Sequence, residues 1–184
     1  MMIFTETKIK NLYIINLKSF NDERGCFTRI FCKEELRKIY HTKEIVQINL
    51  SKTKKKGSIR GMHFQYPPKS EIKMVRCIKG SVYDVAVDLR KVSKTFLKWH
   101  GEILSSDNLK MIYIPEGFAH GFQTLEENSE LLYLHTEFYS PNYEEGVNCN
   151  DPKFKIKWPL NITQISEKDN NYKYLDNNFR GLEL

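Results

Sequence analysis

Met74-Val75-Arg76-Cys77-Ile78-Lys79-Gly80-Ser81-Val82-Tyr83-Asp84-Val85-Ala86-Val87-Asp88 carries the strongest strand signal in the chain. Short runs of β-branched and aromatic residues flank Lys79-Gly80, and a glycine between two such runs reads as a hairpin turn. On either side of it, similar runs occupy residues 12–17, 25–31, 45–50, 61–65, 99–104, 111–114, 121–125 and 131–138. Pro67-Pro68, Asp107-Asn108, Pro115-Glu116-Gly117 and Pro141-Asn142 punctuate them. Many short strands with regular turns predict an all-β sandwich or jelly roll. One helix is predicted over residues 33–40, where KEELRKIY puts Leu36, Ile39 and Tyr40 near one face. The tail after Trp158-Pro159 is polar and Asn-rich, which predicts turns or a short helix and no second domain.

A chain of 184 residues with 40% hydrophobic content suits one domain spanning 1–184. It has no apolar run of membrane-spanning length, and MMIFTETKIK lacks the features of a signal peptide, so the expected location is the cytoplasm. Cys26, Cys32, Cys77 and Cys149 have no C-x-x-C spacing, which speaks for free thiols and against structural zinc. A net charge of +6 points to an anionic partner. The run Lys52-Thr53-Lys54-Lys55-Lys56 has no interleaved aromatic and reads as a solvated loop, not a nucleic-acid patch.

Of the five histidines, His63 and His120 have unusual neighbours. His63 lies in Ile59-Arg60-Gly61-Met62-His63-Phe64-Gln65, and His120 in Ile114-Pro115-Glu116-Gly117-Phe118-Ala119-His120-Gly121-Phe122. Glycine in a strand marks a bulge or the close approach of a ligand. Strict alternation groups Gly61, His63 and Gln65 on one face and Arg60, Met62 and Phe64 on the other. A face carrying His and Gln is costly to bury unless it lines a wet or ligand-filled cavity. His63-Phe64-Gln65 replaces the H-x-H pair of jelly-roll metalloenzymes, and glutamine is a poor transition-metal ligand, so no metal site is expected.

These segments, with Asp22-Glu23-Arg24-Gly25, Val82 to Arg90 and Ile156-Lys157-Trp158-Pro159, resemble the dTDP-4-dehydrorhamnose 3,5-epimerase family over about residues 1–175. The resemblance implies a cupin-type jelly roll (a double-stranded β-helix) with a few short helices, a homodimer with exchanged N-terminal strands, and no cofactor. It implies an isomerase that inverts carbons beside the C4 ketone of a nucleoside-diphosphate 4-keto-6-deoxysugar for surface polysaccharide. By the same resemblance His63 is the base and Asp169 orients it. Lys73 stands near the developing oxyanion and Tyr133 is the acid, sharing a strand face with Leu131 and His135. Arg60 and Arg24 take the diphosphate, Arg24 across the dimer, with Lys168 as a weaker candidate. Gln47 and Asn49 face the ligand, Phe27 and Tyr139 hold the nucleoside, and His120, with Asp84 as partner, meets sugar hydroxyls.

The chain departs from the family pattern at Cys26, Thr28 and Arg29, where relatives carry aromatics and a glutamate, and at Asn148-Cys149-Asn150-Asp151, which lacks the usual Trp. A carboxylate only accepts and a guanidinium only donates, so the Arg29 reversal opens the same chemistry on a GDP-linked 4-keto-heptose. Epimerisation at C3 alone is a further alternative. Competing classes are a ketoisomerase or dehydratase on nucleotide sugars, and a non-catalytic sugar-binding jelly roll.

Overall fold

The computed structural model describes residues 1–184. The chain starts with β1 (Met2–Glu6), β2 (Tyr13–Leu17), β3 (Ser19–Asp22) and β4 (Gly25–Thr28), then α1 (Lys33–Leu36) with a 3-10 turn over Arg37–Ile39. Next come β5 (Gln47–Thr53), β6 (Ile59–Gln65), β7 (Lys73–Lys79), β8 (Ser81–Asp88) and β9 (Trp99–Ser105). The last elements are β10 (Lys110–Ile114), β11 (Phe118–Thr124), β12 (Ser129–His135), β13 (Glu144–Gly146) and α2 (Glu167–Asn170). Six strands form one sheet in the order β1-β2-β10-β7-β12-β5 and five form a second in the order β13-β6-β11-β8-β9. The β3–β4 hairpin stands apart as a two-stranded ribbon. No helix is long and apolar enough to cross a membrane.

The two halves of the Met74–Asp88 stretch therefore do not pair. β7 belongs to the six-stranded sheet and β8 to the other, so the predicted hairpin is corrected to a corner that passes the chain between sheets. Gly80 makes the corner with φ +73. Alternation along these strands feeds three apolar layers. Val75, Cys77, Val82, Ala86, Phe122 and Leu131 fill the space between the sheets. Met74, Met111 and Leu134 cover the outer side of the six-stranded sheet together with Leu36 from α1. Val85, Val87, Met62 and Phe64 cover the outer side of the other sheet under Val147, Phe154 and Leu182. The central strands β8, β10 and β11 are buried on both faces, which is why their sequence runs are apolar at both parities.

The predicted helix at 33–40 is shorter than expected. Leu36 is fully buried, but Tyr40 is 90% exposed and takes a left-handed conformation that ends the 3-10 turn, so it does not join the apolar face. The basic run is also not purely loop: Lys52 and Thr53 lie on β5, Lys52 pairs with Glu130, and Thr53 is buried. Leu36→Ala should cost about 2–5 kcal/mol, because it empties a filled site. Tyr40→Ala should stay within about 0.5 kcal/mol, both read by urea unfolding.

Candidate active site

A cleft of about 990 Å³ opens between the two sheets. Its first wall is built by parity on the six-stranded sheet. Tyr133 and His135 on β12 face inward with Gln47, Asn49 and Ser51 of the neighbouring β5 and Lys73 of β7. The second wall is β6 and β11, with Arg60, His63 and His120. Strict alternation had put Arg60 and His63 on opposite faces, and the structure overturns this. In the β6–β11 register His63 faces His120 while Arg60 faces Phe122, so β6 carries one extra residue there. The extra residue falls at Gly61-Met62. Gly61 has φ +114, and a Cβ on it would lie 2.6 Å from Gly121 Cα, so only glycine fits. The bulge turns Met62 into the outer core and brings Arg60 into the cleft beside His63.

His63 Nε2 lies 2.8 Å from Asp169 Oδ1. The ionised carboxylate can only accept, so Nε2 carries the hydrogen and Nδ1 holds the free lone pair of the neutral ring. Asp169 also accepts from the Gly61 amide at 3.1 Å, and its own N–H is capped by Ser166 Oγ at 3.0 Å. Burial pushes the Asp169 carboxyl up. The His63 hydrogen bond and charge, with the Gly61 and Ser166 bonds, outweigh this and hold it below the ordinary carboxylate range.

On the adjacent strand, His120 Nε2 sits 2.9 Å from both oxygens of the fully buried Asp84, the partner anticipated for it. His120 presents its ring to Tyr133 edge-on, with centroids 6.2 Å apart. The Tyr133 hydroxyl shares a 3.2 Å hydrogen bond with Ser51 Oγ. Burial drives the phenol well above the ordinary tyrosine range, so at neutral pH it is a proton donor. Lys73 Nζ lies 3.0 Å from Glu71, and Arg60 donates to Thr53 Oγ1 at 3.0 Å. At the mouth, Lys168 and the Tyr139 hydroxyl both meet Glu144.

His63, Tyr133, Asp169, Lys73, Arg60, Gln47, Asn49, His120, Tyr139 and Lys168 thus come together in one cleft. Arg24 and Phe27 do not. Both stand on the β3–β4 ribbon, Arg24 paired with Asp22 and Phe27 70% exposed. The sequence reading missed Glu71, Ser51 and Glu144 as cleft residues and gave His135 no role. A signal existed for two of them: His135 shares parity with Tyr133, and Glu71 shares parity with Lys73. No three His, Cys, Asp or Glu side chains gather as metal ligands would.

The family model described as dTDP-4-dehydrorhamnose 3,5-epimerase matches residues 6–177. The chain belongs to the dTDP-4-dehydrorhamnose 3,5-epimerase family. The Salmonella typhimurium dTDP-4-dehydrorhamnose 3,5-epimerase is 44% identical over 171 residues, 92% of this chain and 93% of that protein. Among solved structures, the Bacillus anthracis enzyme with TDP and pyrophosphate bound has a TM-score of 0.92 at 39% identity, covering 95% of this chain and 100% of its own. The Legionella pneumophila epimerase in complex with dTDP-4-keto-L-rhamnose has a TM-score of 0.90 at 38% identity, covering 95% and 93%. The cupin-like all-β fold is thus that of the epimerase family.

The lowered Asp169 pKa has a consequence for folding. A carboxylate depressed in the folded state stabilises fully above its unfolded pKa of about 3.9, and that contribution fades as pH falls through the folded value. Asp169→Asn should therefore be less stable than wild type at pH 7, and the gap should close as pH drops below about 4. Urea unfolding across that range checks it, and a gap independent of pH would contradict it.

Proposed function

We propose that this chain is a 3,5-epimerase of a dTDP-linked 4-keto-6-deoxysugar. The observation that carries the reading is the two-sided cleft. An imidazole backed by a buried carboxylate stands on one sheet, and a phenol held in its protonated form stands on the other. In this reading His63 Nδ1 takes the proton from the carbon beside C4, and the electron pair moves onto the C4 oxygen as an enolate. Asp169 stabilises the imidazolium that forms, the Lys73 ammonium meets the enolate oxygen, and Tyr133 returns a proton to the opposite face. A fixed cation there is worth about 3 kcal/mol, comparable to an oxyanion-hole donor. Base and acid supply about 10²–10⁴ each. His120 meets sugar hydroxyls, and Gln47 and Asn49 line the sugar wall. Arg60, helped by Lys168, grips the diphosphate, and Tyr139 packs on the nucleoside.

The same proposal has the whole chain, 1–184, act as one domain in a homodimer whose ribbons exchange, so that Arg24 and Phe27 complete the cleft of the second copy. Three features support this. Ile48 and Leu50 are about 60% exposed on the outer side of edge strand β5, Phe20 and Phe27 project from the ribbon, and Arg76 is buried with an unpartnered Nη1. Four free cysteines fit a reducing cytoplasm. The product would feed a surface polysaccharide. The reversal at Arg29 does not favour guanosine, because Glu35 engages that guanidinium at 2.8 Å.

In deuterated water, wild type should exchange the hydrogens at both C3 and C5 of dTDP-4-dehydro-6-deoxyglucose. His63→Ala should lose about 10² or more of this rate while binding dTDP nearly as well. Unchanged exchange in that variant rejects the base, and exchange at C3 alone rejects the double reaction. Calorimetric titration should favour dTDP over GDP; the reverse order would reinstate the heptose alternative.

A further inference from the structure

Two buried side chains in the cleft have no part in the scheme above. Glu71 lies two residues before Lys73, and its side chain is only 9% exposed. Its Oε1 accepts from the Lys73 ammonium at 3.0 Å and its Oε2 from His135 Nδ1 at 2.6 Å. His135 is itself buried and lies parallel to the Tyr133 ring, with centroids 6.0 Å apart and planes inclined by 18°. Its other nitrogen, Nε2, faces Asn49 Nδ2 at 3.4 Å. Asn49 Oδ1 in turn accepts from Gln47 Nε2 at 3.3 Å, and Gln47 Oε1 accepts from the Tyr139 amide at 3.1 Å. One hydrogen-bonded chain therefore runs along the whole wall, from the nucleoside end to the lysine.

The donors and acceptors in that chain have one consistent order. An ionised Glu71 accepts at both oxygens, so His135 must donate from Nδ1. The neutral ring then has only a lone pair at Nε2, which requires the NH₂ side of Asn49 and leaves its oxygen for Gln47. Burial pushes the Glu71 carboxyl up, but the Lys73 charge and the His135 hydrogen bond hold it below the usual range, which keeps it an acceptor. A lysine head on a four-carbon stem has three rotatable donors and no preferred direction of its own. Glu71 ties one of them and leaves two for a ligand oxygen.

We propose that Glu71, braced by His135, is a positioning residue that fixes the Lys73 ammonium in the cleft and, through the same imidazole, sets which side of the Asn49 amide meets the sugar. This rests on the reading of Lys73 as the group at the C4 oxygen. Neither residue touches the reacting atoms. Each acts through its neighbour, and loss of a positioning contact misplaces the group that does.

The test is a double-mutant cycle read by deuterium exchange and steady-state kinetics with dTDP-4-dehydro-6-deoxyglucose. Glu71→Gln keeps the shape of the side chain. It should lower kcat about ten- to a hundredfold with KM within about twofold, the signature of a misplaced group. Added to Lys73→Ala, the same change should cost nothing further, because its target is already gone. His135→Phe keeps a ring over Tyr133 but removes both nitrogens, and it should raise KM about three- to tenfold through the freed Asn49 amide. An equal kcat loss from Glu71→Gln in both backgrounds, or none in wild type, overturns the lysine half. An unchanged KM in His135→Phe overturns the amide half. A wild-type protein that exchanges no deuterium would instead indict the proposed function, so the two failures are distinguishable.

Discussion

Much of the site hangs on the two oxygens of Asp169. One holds the His63 ring and the other holds the Gly61 amide, the residue at which β6 bulges. A single carboxylate thus orients the imidazole and pins the irregular backbone that turns Arg60 toward it. The residue that carries it is set by Ser166, whose Oγ accepts from the Asp169 backbone N–H at the start of α2. A buried charge must be met by donors or give up its ionisation. The cleft meets this demand the same way three times: Asp169 with His63, Asp84 with His120, and Glu71 with His135 and Lys73. In each pair the carboxylate takes one ring N–H and so decides which nitrogen keeps the lone pair.

The strands were legible because period-two runs bounded by turn residues are a local signal, and every long strand lies where such a run lies. What was not local was misread. Gly80 was correctly seen as a turn, but turn chemistry says nothing about which strand a neighbour pairs with. β7 finds its partners in β10 and β12, and β8 finds its own in β9 and β11. Those choices come from burying both faces of the central strands, which no short window contains. β1, β3 and β13 escaped notice because they are edge or ribbon strands of only three to five residues, too short to show a period. Tyr40 misled because its spacing fits a helical face, while the chain leaves the helix at that residue.

The site divides along the same line. Tyr133 and His135 were placed on one face by alternation, and they share the cleft wall because β12 is regular there. Arg60 broke the rule because β6 is not, and the sign of that was Gly61, a glycine inside a strand. Asp169 stands 106 residues from His63 in a polar tail, so nothing in its surroundings announces it, and only the family resemblance pointed to it. Glu71 and His135 were within reach of parity. Neither has a glycine neighbour to mark it.

Charge is sorted along the cleft. At the end that holds His63 and Lys73 each lysine or imidazole has a carboxylate beside it, so the interior offers no unpaired cation and its dipoles are fixed before any ligand arrives. Towards the other end the balance changes. Arg60 is held only by the neutral Thr53 hydroxyl and the Lys52 carbonyl, and no carboxylate approaches its guanidinium. Lys54 lines the same region. Arg24 contrasts with this, since Asp22 already occupies its fork at 2.5 Å in the isolated chain. On the proposed function, a ligand with a neutral ring and a doubly charged diphosphate would match that gradient, the unmatched guanidinium meeting the phosphate oxygens and the paired side chains the sugar. Reversing the ligand would put the diphosphate against Glu71 and leave Arg60 facing an uncharged ring. On that proposal the arrangement would set the direction in which a sugar nucleotide enters, before any contact to the nucleoside is made.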